Sequence, residues 1–483
     1  MRSLLAHNQL EAQRFFRRFE SSFTTRQDGS TWPKWQRTSQ HASEYFRGLV
    51  RPGRRKSITG LAKRMNTDQE QLERFVRESP WEYQQVQAHL RNQAPAAVQG
   101  STAALIVDGV AFPKKGKHSV GVGRQWCGVA GKVENCQVAI NLTLATPGEC
   151  SNADQVTWPL AMQLYLPQKW GGNTDSVYDS QRERAQYARL REEAGIPDDI
   201  TYQPKHVIAT DLVEDARDSV DHACVVADAG FGRYNAFRQH LRELEEPYVV
   251  EVRPAKTAVV PADAPIESSG PSPGRGPART PLTVSDEVEL ETIEEVATRA
   301  THTDAWKEIE WAEGSKKTLS GEFYRERVRA VTDQQDREVE DATGWLLIEK
   351  EQPAEEESSL KAWLCWDRDD ASLEQLVSWA HLRWTIEQYH DNIKQVLGAD
   401  DFQGRTWDGF HHHLTVVMLT QAFVAEQRLQ TGEDGCDLDS FEEVARRLVR
   451  EAAIQRLMEN HDFDRQTAET VAVDMLRGFS EWG

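Results

Sequence analysis

The sequence predicts a mixed α/β chain with helical additions at both ends, and two observations carry that reading. From about Ser101, strand-like runs follow one another at Ala103–Val107, Ser119–Cys127 and Cys136–Thr146, after which helix and strand patterns alternate as far as Val252. Before Ser101 and after Leu373 the apolar residues instead recur at helical spacing.

The first region, 1–100, reads as a helical basic domain. Leu10 to Phe23 is amphipathic, and Ser57 to Glu78 gives two short helices. In that pair Ile58, Leu61, Ala62 and Met65 share a face, Asn66 and Thr67 interrupt it, and Leu72, Phe75 and Val76 form the next face. Thr67 and Glu70 have capping-box spacing. The pattern is that of a helix-turn-helix, with Gln69, Gln71 and Arg74 facing outward and Arg54, Arg55 and Lys56 leading in; these six are the candidates for reading DNA. Any two short helices with a polar turn look alike, so charge matters here. Residues 1–100 hold 17 Lys and Arg against 9 Asp and Glu, leaving 40 basic and 68 acidic residues to the remainder of a chain whose net charge is -20. A basic domain on an acidic body is the asymmetry expected when one part holds nucleic acid.

The second region, 101–253, is the first part of a mixed-sheet core. After its three strands come a helical stretch near Gln155 to Leu166, a strand at Cys224–Ala227, a helix at Tyr234–Leu244 and a strand at Pro247–Val252. Gly128 to Asn135 suits a hairpin connection. Residues 254–285 are expected to be a linker or long surface loop, because 7 of the 19 prolines fall within 254–281. Strand-like pieces at Trp306–Trp311, Gly321–Val331, Trp345–Lys350 and Ala362–Trp366 make 286–368 a β-rich insertion. The core resumes over 369–430 with one long helix from Leu373 to Leu397, entered by a Ser372/Gln375 capping box and stopped at Gly398. Residues 431–483 form a helical tail.

Composition narrows the setting. No apolar run is long enough to cross a bilayer, and the stretch Arg14 to Arg18 is too polar for a signal peptide, so a cytoplasmic, nucleoid-associated protein with no membrane partner is expected. The six cysteines have no CxxC spacing and no His partner at zinc-site distance.

Chemistry enters with Arg383, Glu387 and Lys394. At 100° per residue they fall on one narrow helical stripe, where they can meet a single phosphodiester. Asp108, in Ala-Ala-Leu-Ile-Val-Asp-Gly, and Asp228, in Cys-Val-Val-Ala-Asp-Ala-Gly, each look like the last residue of a buried strand. Three converging carboxylates repel one another unless a cation sits between them. Asp108, Asp228 and Glu387 therefore form a candidate catalytic and metal-binding triad, and hard oxygen donors favour Mg²⁺ or Mn²⁺, with two ions able to serve hydrolysis of a phosphodiester. Arg383 and Lys394 are candidate phosphate clamps, with Lys114, Lys115 and Lys117 on the DNA backbone. Taken singly, Arg-x-x-x-Glu is an ordinary surface ion pair and a strand-ending Asp an ordinary turn former.

The joint pattern resembles a known family. Asp108-Gly-Val-Ala-Phe-Pro-Lys-Lys-Gly-Lys-His-Ser-Val-Gly-Val is followed by Arg124-Gln-Trp-Cys-Gly, Gly131-Lys-Val-Glu-Asn-Cys-Gln and Ala227-Asp-Ala-Gly-Phe-Gly. Then come Arg383-Trp-Thr-Ile-Glu-Gln-Tyr-His-Asp-Asn-Ile-Lys, Phe402-Gln-Gly-Arg-Thr-Trp and His411-His-His-Leu-Thr. This series resembles the DDE transposases of bacterial and archaeal insertion sequences, in the branch with a Tyr, Arg, Glu, Lys signature and its group numbered seven hundred and one. The resemblance implies an RNase H-like core, a metal triad of Asp108, Asp228 and Glu387, and an insertion between the second and third acids. It implies a DNA transposase that binds terminal inverted repeats and target DNA, cleaves and transfers strands with a divalent metal, and works as a homodimer on paired ends. The signature tyrosine falls at Ala380. Two other readings stay open, an RNase H-like nuclease or resolvase that only hydrolyses, and a domesticated DNA-binding protein. Trp306, Trp311 and Trp345 are candidates for base stacking, with core packing as their ordinary alternative, and His411, His412 and His413 read as a helix entry close to DNA.

Overall fold

The computed structural model describes all residues except 1–2, 27, 52–54, 148–154, 173–174, 269–280, 314–317, 351–359, 431–440, 462 and 478–483. Five helices open the chain: α1 (Ser3–Thr24), α2 (Trp35–Val50), α3 (Ile58–Met65), α4 (Gln69–Glu78) and α5 (Tyr83–Asn92). The core follows with β1 (Ala104–Pro113), β2 (Gly123–Cys127), β3 (Lys132–Ala145), β4 (Thr157–Leu164), α6 (Gln168–Gly171), α7 (Gln181–Ala194), α8 (Lys205–Ala216), β5 (Cys224–Ala227), α9 (Ala229–Gly232), α10 (Asn235–Glu243) and β6 (Tyr248–Val252). Next come β7 (Ala258–Pro261), β8 (Ile266–Ser268), β9 (Leu282–Val284), β10 (Glu291–Thr292), α11 (Ile293–Ala300), β11 (Lys307–Glu313), β12 (Thr318–Asp333), β13 (Glu338–Val339), β14 (Gly344–Lys350) and β15 (Leu360–Trp366). Helices α12 (Leu373–Leu382), α13 (Trp384–Asp391), α14 (Trp407–Leu429), α15 (Phe441–His461) and α16 (Arg465–Arg477) close it.

Five strands lie in the order β4-β3-β1-β5-β6. β3 runs antiparallel to β1 and β4 antiparallel to β3, whereas β5 is parallel to β1 and β6 parallel to β5. Three antiparallel strands continued by two parallel ones is the RNase H-like arrangement that the resemblance implied. The insertion extends this same sheet: β15 pairs antiparallel with β6 and carries β14 and β12 beyond it.

Several sequence expectations need correction. The run Thr157–Leu164 is strand β4, not helix; it is buried almost throughout, and a short apolar run has no period to separate the two states. The proline-rich stretch is not loop throughout. Ala258–Pro261 pairs with β10 and β12 and buries Ala258, Val259 and Val260, an apolar run hidden by the average composition, while 269–280 lie outside the described residues. The long helix Leu373–Leu397 is broken at Arg383 and ends in a π turn, Asn392–Val396. The Thr385 hydroxyl donates to the Leu382 carbonyl at that break, a bond that bends helices. The second helix of the N-terminal pair is capped by Asp68, which accepts from the Gln71 amide, so the cap lies one residue beyond Thr67.

The N-terminal helices share a core with the sheet. Helix α14 is buried on every side, as an all-round apolar helix must be, and its Phe423 meets Phe15 of α1 and Phe46 of α2. The three consecutive histidines are pins in this junction, which corrects their reading as a DNA-proximal helix entry. The helix begins at Trp407 under the Thr406 cap, so all three sit inside it and are buried. His411 accepts from the Leu164 amide and stacks on Tyr83, His412 lies between the Val76 and Trp81 carbonyls, and His413 meets the Tyr45 hydroxyl. Burial pushes His411 and His413 down to about 3 and His412 to about 4, in the last case against the two carbonyls its ring nitrogens face. A histidine depressed in the fold stabilises it fully above the unfolded value near 6.5, and that contribution is lost as pH falls toward the folded value. The thermal midpoint of a His412→Phe variant, which keeps the stack on Trp81, is therefore expected to change less than wild type between pH 7 and pH 5. Parallel curves would refute the assignment.

Candidate active site

Register alone brings three acids together. Val107 of β1 pairs with Ala227 of β5, and Ala227 with Val250 of β6. Asp108, Asp228 and Glu251, each one residue further on, therefore stand side by side across three adjacent parallel strands. Asp108 lies mid-strand, not at a strand end as its sequence suggested, because β1 continues to Pro113 against β3. Asp228 follows directly on its strand, which ends at Ala227. Its carboxylate caps α9 by accepting from the amides of Gly230 and Phe231 at 2.9 and 3.2 Å. Gly232 closes that turn against β6, where a Cβ would lie 2.1 Å from the Glu251 carbonyl oxygen, so the glycine lets Asp228 and Glu251 approach.

The fourth acid comes from α13. At the helix break, Arg383 Nη2 donates to Glu387 Oε1 at 2.8 Å, while Nη1 lies 3.7 Å from Asp108 Oδ2 and Nε 3.7 Å from Glu251 Oε2. One guanidinium is thus the shared counter-ion of three carboxylates, with Asp228 close enough to add to the same field. Burial and the nearby Asp228 push Asp108 up to about 7 against the pull of Arg383. Burial opposes the charge on Arg383, yet Asp108, Glu387, Glu251 and Asp228 together hold its pKa above the ordinary value. Lys394, in the π turn, completes the stripe near Asp391, Asp400 and Asp108, with burial lowering its pKa.

Glu251 escaped the sequence reading. Its signal was a lone carboxylate in Tyr-Val-Val-Glu-Val, a run that reads as a strand buried on both faces. In donor chemistry the oxygens of Asp108, Asp228 and Glu387 suit a hard divalent ion. Arg383 lies between Asp108 and Glu387, and among the described residues no three His, Cys, Asp or Glu side chains close around a common metal position.

The remaining candidates divide. Gln69, Gln71 and Arg74 are exposed on α4, as are Arg55, Lys115 and Lys117, while Arg54 lies outside the described residues. Lys56 is corrected: it is buried, donates to the Leu49 and Arg51 carbonyls, and burial lowers it to about 7. Lys114 is likewise a structural tie, donating to the Phe402 carbonyl at 2.7 Å. The three insertion tryptophans each have a ring neighbour. Trp311 stacks on His381 at 4.0 Å, Lys350 lies over Trp306, and Arg325 and Arg327 lie over Trp345, while all three tryptophans are half-buried.

Among known proteins, residues 24–318 match the family described as DDE superfamily endonuclease, a span that includes Asp108, Asp228 and Glu251. Over 123 residues the chain is 28% identical to the "Probable transposase for insertion sequence element IS701" of Microchaete diplosiphon. That match takes in 25% of this chain and only 30% of the relative. A cryo-EM structure of the piggyBac transposase synaptic complex with hairpin DNA is similar at a TM-score of 0.40 and 12% identity, over 96% of this chain and 84% of the other.

Proposed function

Since the chain belongs to the DDE superfamily of endonucleases, we propose that it is the DNA transposase of an insertion sequence, acting on terminal inverted repeats and then on target DNA. The observation that supports this most is the meeting of Asp108, Asp228 and Glu387, from three distant parts of the chain, around Arg383. The family implies a divalent metal; we take it as Mg²⁺ or Mn²⁺, two ions per site, with the triad as its holders. When bound, the ions would supply charge neutralisation and an activated water. Arg383 then has a second partner in the scissile phosphate, which its planar fork suits, and Lys394 adds charge beside it. Hydrolysis forms a bond from water oxygen to phosphorus and breaks the phosphorus–O3′ bond, freeing a 3′-hydroxyl. In transfer that hydroxyl attacks a second phosphodiester, whose own O3′ leaves. Concerted work on two ends calls for a homodimer or a higher assembly.

A duplex bearing the element's terminal sequence, incubated with the chain and Mg²⁺, should give both a nicked product and a product joined to a second duplex. An end lacking the 3′-hydroxyl should fail to join. Nicks without joined strands would favour a nuclease or resolvase, and no metal-dependent product would favour a DNA-binding regulator.

A further inference from the structure

Residues 109–133 hold five Lys or Arg and no Asp or Glu, in a chain where acids outnumber bases 77 to 57. They run from the second half of β1, just after Asp108, through the Lys115/Lys117 loop into the β2–β3 hairpin as far as the residue before Glu134, and the hairpin turn is closed by Gly131 at a φ of +61°. The loop is tied to the hairpin's base, because the Asn135 side-chain amide donates to the Lys114 and Gly116 carbonyls at 2.6 and 2.8 Å.

The hairpin is two-faced in an unusual sense. Cys127 is buried, and Gln125 on the same face donates to the Cys136 carbonyl. The opposite face carries Arg124, Trp126 and Val133, with Trp126 directly across from Val133. That face is in solvent: Trp126 is 62% exposed, Val133 48%, and Val129 in the turn 67%. Three of the seven exposed large apolar residues among those described thus sit on one hairpin. Glu134, one residue further along β3, is ion-paired with Lys132 at 3.0 Å, which leaves Arg124, Lys115 and Lys117 as the exposed cations near the projection. An apolar projection among exposed cations is a surface that proteins lay against nucleic acid, where a side chain enters a base step while its neighbours hold phosphates. A like-chain interface would more naturally pair opposite charges, and the hairpin's one acid, Glu134, is already paired with Lys132.

We propose that the β2–β3 hairpin and the Lys115/Lys117 loop are a second DNA contact, with Trp126 as the residue that lies against the bases. The proposal rests on the reading of the chain as an enzyme acting on DNA. Asn141, the partner of Asp108, and Val133, the partner of Trp126, are eight residues apart on β3, a span of at most about 27 Å. The contact therefore falls within about eight base pairs of the phosphodiester at the triad.

The test uses the full chain and a random-sequence duplex, with affinity followed by fluorescence anisotropy at several salt concentrations. Trp126→Ala should weaken binding roughly tenfold. A Lys115→Gln/Lys117→Gln double variant should lower the slope of log affinity against log salt by about 2. If wild type binds and both variants match it, the hairpin contact is wrong while the DNA reading stands; if wild type binds no duplex, both fail. A Trp126→Ala change that alters sedimentation of the free chain but not DNA affinity would make this face an interface between copies and overturn the proposal.

Discussion

Asp108→Asn is expected to lower metal-dependent strand cleavage on the order of a thousandfold, as loss of a central charged group does, and yet to leave a more stable protein. The two effects have one source. Asp108 is largely shielded, stands beside Asp228 and is pushed up to about 7 by burial first and by that neighbour second. A carboxyl raised in the fold stabilises it fully below its unfolded value near 3.8, and that contribution is lost as pH rises toward 7. Asn carries no such penalty. Without divalent metal, the midpoint of the variant should therefore exceed that of wild type by a margin that grows from pH 4 to pH 7 and is flat above it. Asp228→Asn and Glu387→Gln should lose cleavage equally while all three still bind DNA. Full cutting by any of them would remove that residue from the triad, and a midpoint gap independent of pH would show that Asp108 is not strained by its neighbours.

How much of this was legible in the sequence follows from what each residue contacts. Asp108 and Asp228 showed themselves because a charge next to a buried apolar run is conspicuous, and Glu387 because helical spacing tied it to Arg383. Glu251 sits in a similar run but was absorbed into the strand, since only the register of β5 and β6 places it beside Asp228. The three histidines looked like a polar entry segment, whereas burial follows from helices α1 to α5 folding over α14, a long-range fact with no local trace. For Trp306, Trp311 and Trp345 core packing was the ordinary reading, and each has a tertiary neighbour against its ring. Local chemistry was readable, and occupancy of a surface by distant parts of the chain was not.

Removing Arg383 should have the second large effect, and its sign depends on metal. In the structure its guanidinium is the only cation in contact with Asp108 and Glu387 among the described ion pairs, and it reaches Glu251 as well. Arg383→Ala leaves those carboxylates facing one another, which should cost roughly 1 to 3 kcal/mol of stability, less than a fully buried pair would because the side chain is 28% exposed. A divalent ion supplies the same missing charge. Mg²⁺ should thus raise the midpoint of Arg383→Ala more than that of wild type, even as cleavage falls with loss of the phosphate fork. Arg383→Lys keeps the charge without the fork, so it should retain metal-free stability and still cut poorly. Equal Mg²⁺ increments in wild type and Arg383→Ala would mean that the guanidinium and the metal do not share the carboxylates. The predicted inequality, in contrast, makes Arg383 a tethered cation that holds the acids together at rest and is released toward the phosphate once an ion takes its place.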